Sequence, residues 1–399
     1  MSLSIGLDLG LRSLLNSQGI LQTIGNNLAN ANTPGYARQD VLLEETRPLM
    51  TGAFAFGRGA DIAALRRIVD ESLEARLRDQ GSILSRLSTE RVGQTQLESI
   101  VAGGGDASLP SLLSKLFDSA SGLASHPADD VDRQSLLSAG GDLAGALREL
   151  AARLGKVKAD AGADLEIRVK EVNELAEQIA GLNQQIAEMK AKGIDANALL
   201  DTRTLRLQDL AKVAGVTTVE AKNGTTTVLL DGHTIVSGNH TFALEIKKSS
   251  PTATPVLRVK GSVGDVAIGQ GAIAGLLKIG ESVVPGLRAK ADAFAHALAL
   301  AWNRVHSTGL PKDGGFQLLV ADNKVANDTA PLSQAGLPFD VTAGDLYVNV
   351  TDTATGAVTK TKLAIDPNGS LADFAAQLNG VAGLTATIDG GVLRISAAA

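Results

Sequence analysis

Leucine recurs every seven residues at the start of the chain, at Leu7, Leu14, Leu21 and Leu28, and Leu3, Leu11 and Ile24 fill neighbouring positions of the same stripe. With no proline before Pro34, this pattern predicts an amphipathic helix of the coiled-coil kind. A helix packed into a globular core would show the same stripe, and the glycines tip the reading. Gly6, Gly10, Gly19 and Gly25 each cost a helix interior about 1 kcal/mol, whereas a fully buried leucine contributes about 1.5–3 kcal/mol. Such a helix is weak alone and strong once its stripe is covered. Residues 1–40 are therefore expected to lack fixed structure in the isolated chain and to become helical on assembly. Four asparagines and the pair Pro34-Gly35 then end the helix in a turn.

Residues 37–60 read as extended or irregular, and the helical period returns from Asp61 to about Val101. Gly103-Gly104-Gly105 breaks it, and a shorter helix is expected from Ser108 to His126-Pro127. The longest pattern advances in steps of four or three through Leu143, Leu147, Leu150, Leu154, Val157, Ala161, Asp164, Arg168, Val172, Leu175, Ile179, Leu182, Ile186 and Met189. Asp164 and Arg168 alone break its apolar character. It predicts a long helix, or two nearly collinear ones, packed lengthwise against others. Residues 61–101 and 284–308 offer matching stripes, the latter through Leu287, Phe294, Leu298 and Trp302, so one bundle is expected.

Thr- and Val-rich residues 215–262, punctuated by Asn223-Gly224, Asp231-Gly232 and Gly238-Asn239, read as short antiparallel strands. A second β-rich stretch lies beyond about Leu332, with Leu346, Val348 and Val350 alternating with polar residues. There Ser370 and Asp373 are spaced as a capping box. The expected fold is α+β and multidomain, a long heptad-patterned α-helical bundle with inserted antiparallel β-rich domains. Its parts are an assembly helix and Asn-rich turn (1–40), a helical bundle (41–214), a β-hairpin domain (215–265), a return helix (266–331) and a β-rich outer module (332–399).

Composition removes most chemistry. With 37 basic and 43 acidic residues, the net charge of -6 offers no basic face for nucleic acid. There is no cysteine, hence no disulfide and no thiol nucleophile. The N-terminus lacks the basic and apolar regions of a Sec signal, and no apolar run reaches membrane-spanning length. His126, His233, His240, His296 and His306 form no metal-binding spacing. No phosphate loop or nucleophile elbow occurs. No catalytic residue, metal or cofactor is expected.

Residues 14–38 run from Leu14-Leu15-Asn16 through Asn26, Asn27, Ala29, Asn30, Thr33, Pro34, Gly35 and Tyr36 to Arg38. They resemble the N-terminal signature of the flagellar rod, hook and hook-associated proteins. Ala198–Arg203 leading to Leu210–Lys212, and Gly271–Leu277 with Trp302–Gly309, are similar to passages of the hook-associated family at the hook–filament junction. The resemblance covers most of residues 1–310 and is weak beyond 332. It implies a structural, non-catalytic subunit, exported unfolded through the flagellar type III channel and assembled outside the cell at the hook tip. The implied partners are further copies, the hook protein, a second junction protein and an export chaperone, with no nucleic acid and no membrane. The Leu3–Leu28 stripe would be its assembly interface. The family ends in a C-terminal heptad helix that pairs with the first helix, whereas this chain stops at Ser396-Ala397-Ala398-Ala399, so a truncation is expected. A hook or distal-rod protein, or a secreted adhesive module carried on residues 332–399, are the alternatives.

Overall fold

Helix α1 occupies Ser2–Ala29, and a two-layer arm is completed by a ribbon of short strands. Strand β1 (Gln39–Glu45) pairs antiparallel with β4 (Ala60–Arg67), and between them β2 (Leu49–Thr51) pairs with β3 (Phe54–Phe56). The computed structural model describes every residue except 1, 52–53, 248–253, 307–308, 310–314 and 398–399; the side chain of Leu3 also lies outside the described residues. In the structure α1 is a helix with one face anchored on the ribbon. One expectation is corrected here. Asp61–Arg67 is strand and not helix: the next helix begins only after Asp70, whose carboxylate caps it by accepting from Leu73 N–H at 3.0 Å.

Helices α2 (Glu71–Ala102), α3 (Leu109–Ser125), α4 (Asp130–Ala191), α5 (Asn197–Val213), α6 (Gly271–Lys278) and α7 (Val284–His306) follow. A single π turn, Ile279–Val283, joins the last two. The chain divides into two compact units. The first holds residues 1–122 and 133–291, the second residues 123–132 and 292–399.

The first unit has two apolar cores. The smaller joins Leu154 and Val157 of α4 to Leu97 of α2, Ile279 of the π turn and Val284 of α7, with Leu150 and Leu287 packed against it. Here the expected bundle exists. The helices approach closely: a Cβ on Gly93 would lie 2.6 Å from Ile279, and one on Gly275 2.9 Å from the Arg86 carbonyl oxygen. The larger core sets Leu165, Val169, Val172, Leu175 and Ile179 of α4 against α5, α6 and the β domain. The C-terminal half of α4 thus backs a sheet, not α7, and a bundle along all of residues 143–189 is not formed.

The stripe of α4 also departs from its expected phase. Asp164 and Arg168 are exposed, while Leu165 and Val169 are buried. From Ala161 to Val172 the buried positions step 4, 4, 3, an eleven-residue repeat that follows a straight helix better than a heptad does. Leu143, Leu154, Val157, Val172, Leu175, Ile179 and Ile186 are buried, and Leu147, Leu150 and Leu182 half-buried. We expect Leu175→Asp to cost about 4 kcal/mol by losing burial and placing a carboxylate among apolar side chains. Chemical denaturation of the chain measures it, and an unchanged midpoint would remove Leu175 from the core.

The β domain is built from β5 (Thr217–Glu220), β6 (Thr226–Leu230), β7 (His233–Ser237) and β8 (His240–Thr241), in that order in one antiparallel sheet. A hairpin of β9 (Leu244–Lys247) and β10 (Val256–Val259) accompanies it. Asp231 (φ 49°) and Gly232 (φ 78°) both take positive φ, the turn that matches strand twist in a two-residue hairpin. Alternate residues of β6, Val228 and Leu230 among them, point into the larger core.

The second unit contains β11 (Leu318–Val320), β12 (Gly344–Thr351), β13 (Val358–Ile365), α8 (Leu371–Asn379), β14 (Leu384–Asp389) and β15 (Val392–Ala397). Its sheets run β11-β15-β14 and β12-β13, around a core of Leu363, Ala375, Leu378, Val381 and Ala386. Ser370 and Asp373 form the capping box of α8. The boundary expected at 331/332 therefore moves: β11 pairs with β15, so residues 318–331 belong with the outer strands. The return-helix positions were also expected in a bundle core. Leu287 is half-buried in the first unit, but Phe294 is exposed and Leu298 and Trp302 only half-buried, outside the second unit's core. Heptad spacing marks a face able to pack. It does not say that this chain supplies the partner.

Candidate functional site

Two faces of α1 carry different chemistry. The first meets the ribbon through polar and small residues at positions 12, 16, 19, 23 and 27. Arg12 donates to both oxygens of Asp61 at 2.7 and 2.8 Å and to Asp8 at 3.2 Å. The hydrogen bond to Asp61 is the main reason the guanidinium is held above its ordinary pKa, and the one from Arg12 the main reason Asp8 is held below its own. Asn16 Nδ2 donates to the Ala60 carbonyl oxygen at 2.6 Å. At Gly19 the ribbon comes so near that a Cβ would lie 2.6 Å from Ile62 Cδ1. Gly19, read from the sequence as a pure cost, is what admits the ribbon.

The second face is the leucine stripe, and it is bare. Leu7, Leu14, Leu21 and Leu28 are 69, 65, 68 and 78% exposed, and Leu11, Leu15 and Ile24 are exposed with them. The ribbon cannot cover both sides of a helix at once, and its hydrogen-bonding side has taken the polar one.

The signature residues build the turn that holds this arrangement. Asn27 Oδ1 accepts from the Tyr36 hydroxyl at 2.8 Å and from Gln39 N–H at 2.9 Å, while its Nδ2 donates to the Gln39 carbonyl at 2.8 Å. Burial, and secondarily Asp201, pushes the Tyr36 phenol pKa up. Asn26 Oδ1 accepts from Asn30 Nδ2 at 2.8 Å, and Thr33 Oγ1 donates to Asn30 Oδ1 at 3.3 Å. Gly35 sits at φ 81° with Leu205 Cβ 3.4 Å from where a side chain would begin. Arg38 gives its carbonyl to Ile68 N–H at 2.9 Å, closing the base of the ribbon. Ala29 and Pro34 mark the helix end and the turn.

The asparagine of this turn belongs to a wider pattern that the sequence reading missed. Four helical asparagines each take the N–H and the C=O of one strand residue: Asn27 with Gln39, Asn173 with Leu244, Asn183 with Thr226 and Asn379 with Ala386. A primary amide holds one acceptor and two donors in a plane, so it substitutes for a neighbouring strand. Asn183 is fully buried. Its Oδ1 also accepts from Arg203 at 3.0 Å, and its Nδ2 also donates to the Gly238 carbonyl. Burial drives the Arg203 pKa down, with Glu220 opposing it. The signal available beforehand was an asparagine standing beside an otherwise apolar stripe.

Among the described residues, no group of three or more His, Asp or Glu could hold a metal ion, and no helix is long and apolar enough to cross a membrane. A groove between α2, α4 and the π turn is lined by Ser88, Thr89, Gln96, Val157, Asp160 and Asp164, with no histidine or basic group on its walls.

A long-helix body carries small antiparallel modules, and the apolar heptad stripe of α1 lies exposed beside its hydrogen-bonded polar face, an architecture of a structural protein. The family model described as the flagellar hook-associated protein FlgK helical domain matches residues 94–318, and that of the flagella basal body rod protein matches residues 16–36. The chain belongs to the flagellar hook-associated FlgK family. It is 27% identical over 424 residues to flagellar hook-associated protein 1 of Bacillus subtilis, across 95% of this chain and 77% of that one. To the protein of the same name in Salmonella typhimurium it is 28% identical over 308 residues, across 75% and 56%. It thus spans little more than half of the Salmonella relative. The solved flagellar hook junction protein FlgK from Burkholderia pseudomallei shares the fold, with a TM-score of 0.54 at 24% identity over 83% of this chain and 60% of that one.

Proposed function

We propose that the protein is a structural subunit joining the flagellar hook to the filament, and that the bare leucine stripe of α1 is its assembly surface. The single observation carrying this is the split helix: one face fixed by hydrogen bonds to its own ribbon, the other apolar and open to solvent. Exposed leucines in heptad register are stabilised by a second helix, and stacked subunits supply one. In this reading the partners are further copies of the chain, the hook protein, a second junction protein and an export chaperone. The protein performs no catalysis and works outside the cell.

Deletion of the gene tests it. The expected micrograph shows hooks of normal length without filaments, with flagellin shed into the medium. Absence of hooks would assign the protein to the rod or hook instead. Filaments of normal attachment, with loss of surface adhesion alone, would favour an adhesive module.

A further inference from the structure

Among the described residues, none from 1 to 70 takes part in any of the three apolar cores. The arm, α1 with its ribbon, is fastened to the body by polar contacts along one face of α5 and the turn before it. Asp195 accepts from Leu65 N–H at 2.8 Å, and Asn197 Nδ2 donates to the Leu65 carbonyl at 2.6 Å. Two side chains thus do together what Asn27 or Asn183 does alone, taking both backbone groups of one strand residue. Two residues along β4, Arg67 pairs with Asp201 at 2.7 Å, both side chains largely buried, and reaches Thr204 Oγ1 at 3.5 Å. Leu205 lies under Gly35. Positions 197, 201, 204 and 205 share one side of the helix.

We propose that this face of α5 is a clasp that sets the orientation of the arm on the body, and that it opens as a unit while arm and body each stay folded. The physical reason is the difference in what water can replace. Hydrogen bonds broken at the clasp are remade to solvent at small net cost, whereas separating apolar cores has no such compensation. The arm is internally tied by Arg12 to Asp61, Asn16 to Ala60 and Asn27 to Gln39, so it moves as one piece. The inference rests on the assembly reading for its use: the clasp then governs how the leucine stripe is presented to a neighbouring subunit.

The chain has no cysteine, so introduced pairs accept spin labels at chosen positions only. Labels at Glu44→Cys and Gln185→Cys report arm against body, and labels at Gln18→Cys and Glu44→Cys report the arm alone. In the full chain carrying Asp195→Ala, Asn197→Ala and Asp201→Asn, the arm-to-body distance distribution should broaden at least about twofold, as for a locally opened element. The within-arm distribution and the main melting transition should hold. An unchanged arm-to-body width overturns the proposal, as does equal broadening within the arm. Should the triple variant fail to fold, Arg67→Asp alone should broaden the arm-to-body distances and addition of Asp201→Arg should narrow them again; failure to narrow counts against the clasp. These distances are read on the isolated chain. A failed junction reading therefore leaves them untouched, and normal junctions beside unaltered distances sink the clasp alone.

Discussion

Leu14→Asp combined with Leu21→Asp is expected to leave the melting temperature of the isolated chain almost unchanged and to abolish incorporation at the hook tip when placed in the chromosomal gene. Both residues are about two-thirds exposed, so folding buries little of them, and surface substitutions usually fall within about 0.5 kcal/mol. In a helix–helix interface the same positions would be fully covered. Two leucines then lose about 3–6 kcal/mol of burial between them, and each aspartate adds the cost of a carboxylate without a partner. A sum of that size corresponds to a loss of association of at least about a thousandfold. Filament retention in a motility strain, with secretion of the variant checked in the medium, measures it. If the double variant melts the isolated chain, the stripe is an ordinary core face.

Asn183→Leu is expected to destabilise the first unit by about 4 kcal/mol or more, although leucine is the more apolar residue. Thr226 N–H, the Thr226 and Gly238 carbonyls and one Arg203 N–H all lose their bond to a fully buried amide. Each unsatisfied buried group costs about 1–3 kcal/mol, and more where it is charged. Asn183→Asp should do harm as well, because its second oxygen would face two carbonyls that require a donor. Two variants with opposite polarity and the same direction of effect separate hydrogen-bond geometry from burial. Urea denaturation followed by far-ultraviolet circular dichroism reads both, and an Asn183→Leu chain as stable as the parent would dismiss the joint.

Much of the helical framework was legible in the chain's pattern. Period and punctuation placed α1, α3, the long α4 and α7 close to where they lie, and Asp231-Gly232 and Ser370-Asp373 announced a hairpin turn and a helix start. Local patterns suffice there because backbone conformation responds to neighbours a few residues away. The strand at Asp61–Arg67 was misread because Leu65, Ile68 and Val69 join the helical period of the residues that follow, and only pairing with Gln39–Glu45 shows the segment to be strand. The phase of α4 between Ala161 and Val172 was misread: the expected steps through Asp164 and Arg168 and the observed ones through Leu165 and Val169 span the same eleven residues, and packing chose between them.

The sequence by itself determined that α1 has an apolar stripe and that the long helix has a buried side. Only the tertiary structure decided which stripe finds a partner. Leu165, Val172 and Ile179 are covered by the β domain, while Leu7, Leu14 and Leu21 remain bare, although both runs follow helical spacing. The physical reason is that hydrophobicity has no direction: it states that a face gains by being covered, not by what. Directional bonds make that choice. Asn183 and Asn173 bind α4 to Thr226 and Leu244, and Arg12, Asn16 and Asn27 turn α1 so that its ribbon lies on the polar side and its leucines face solvent.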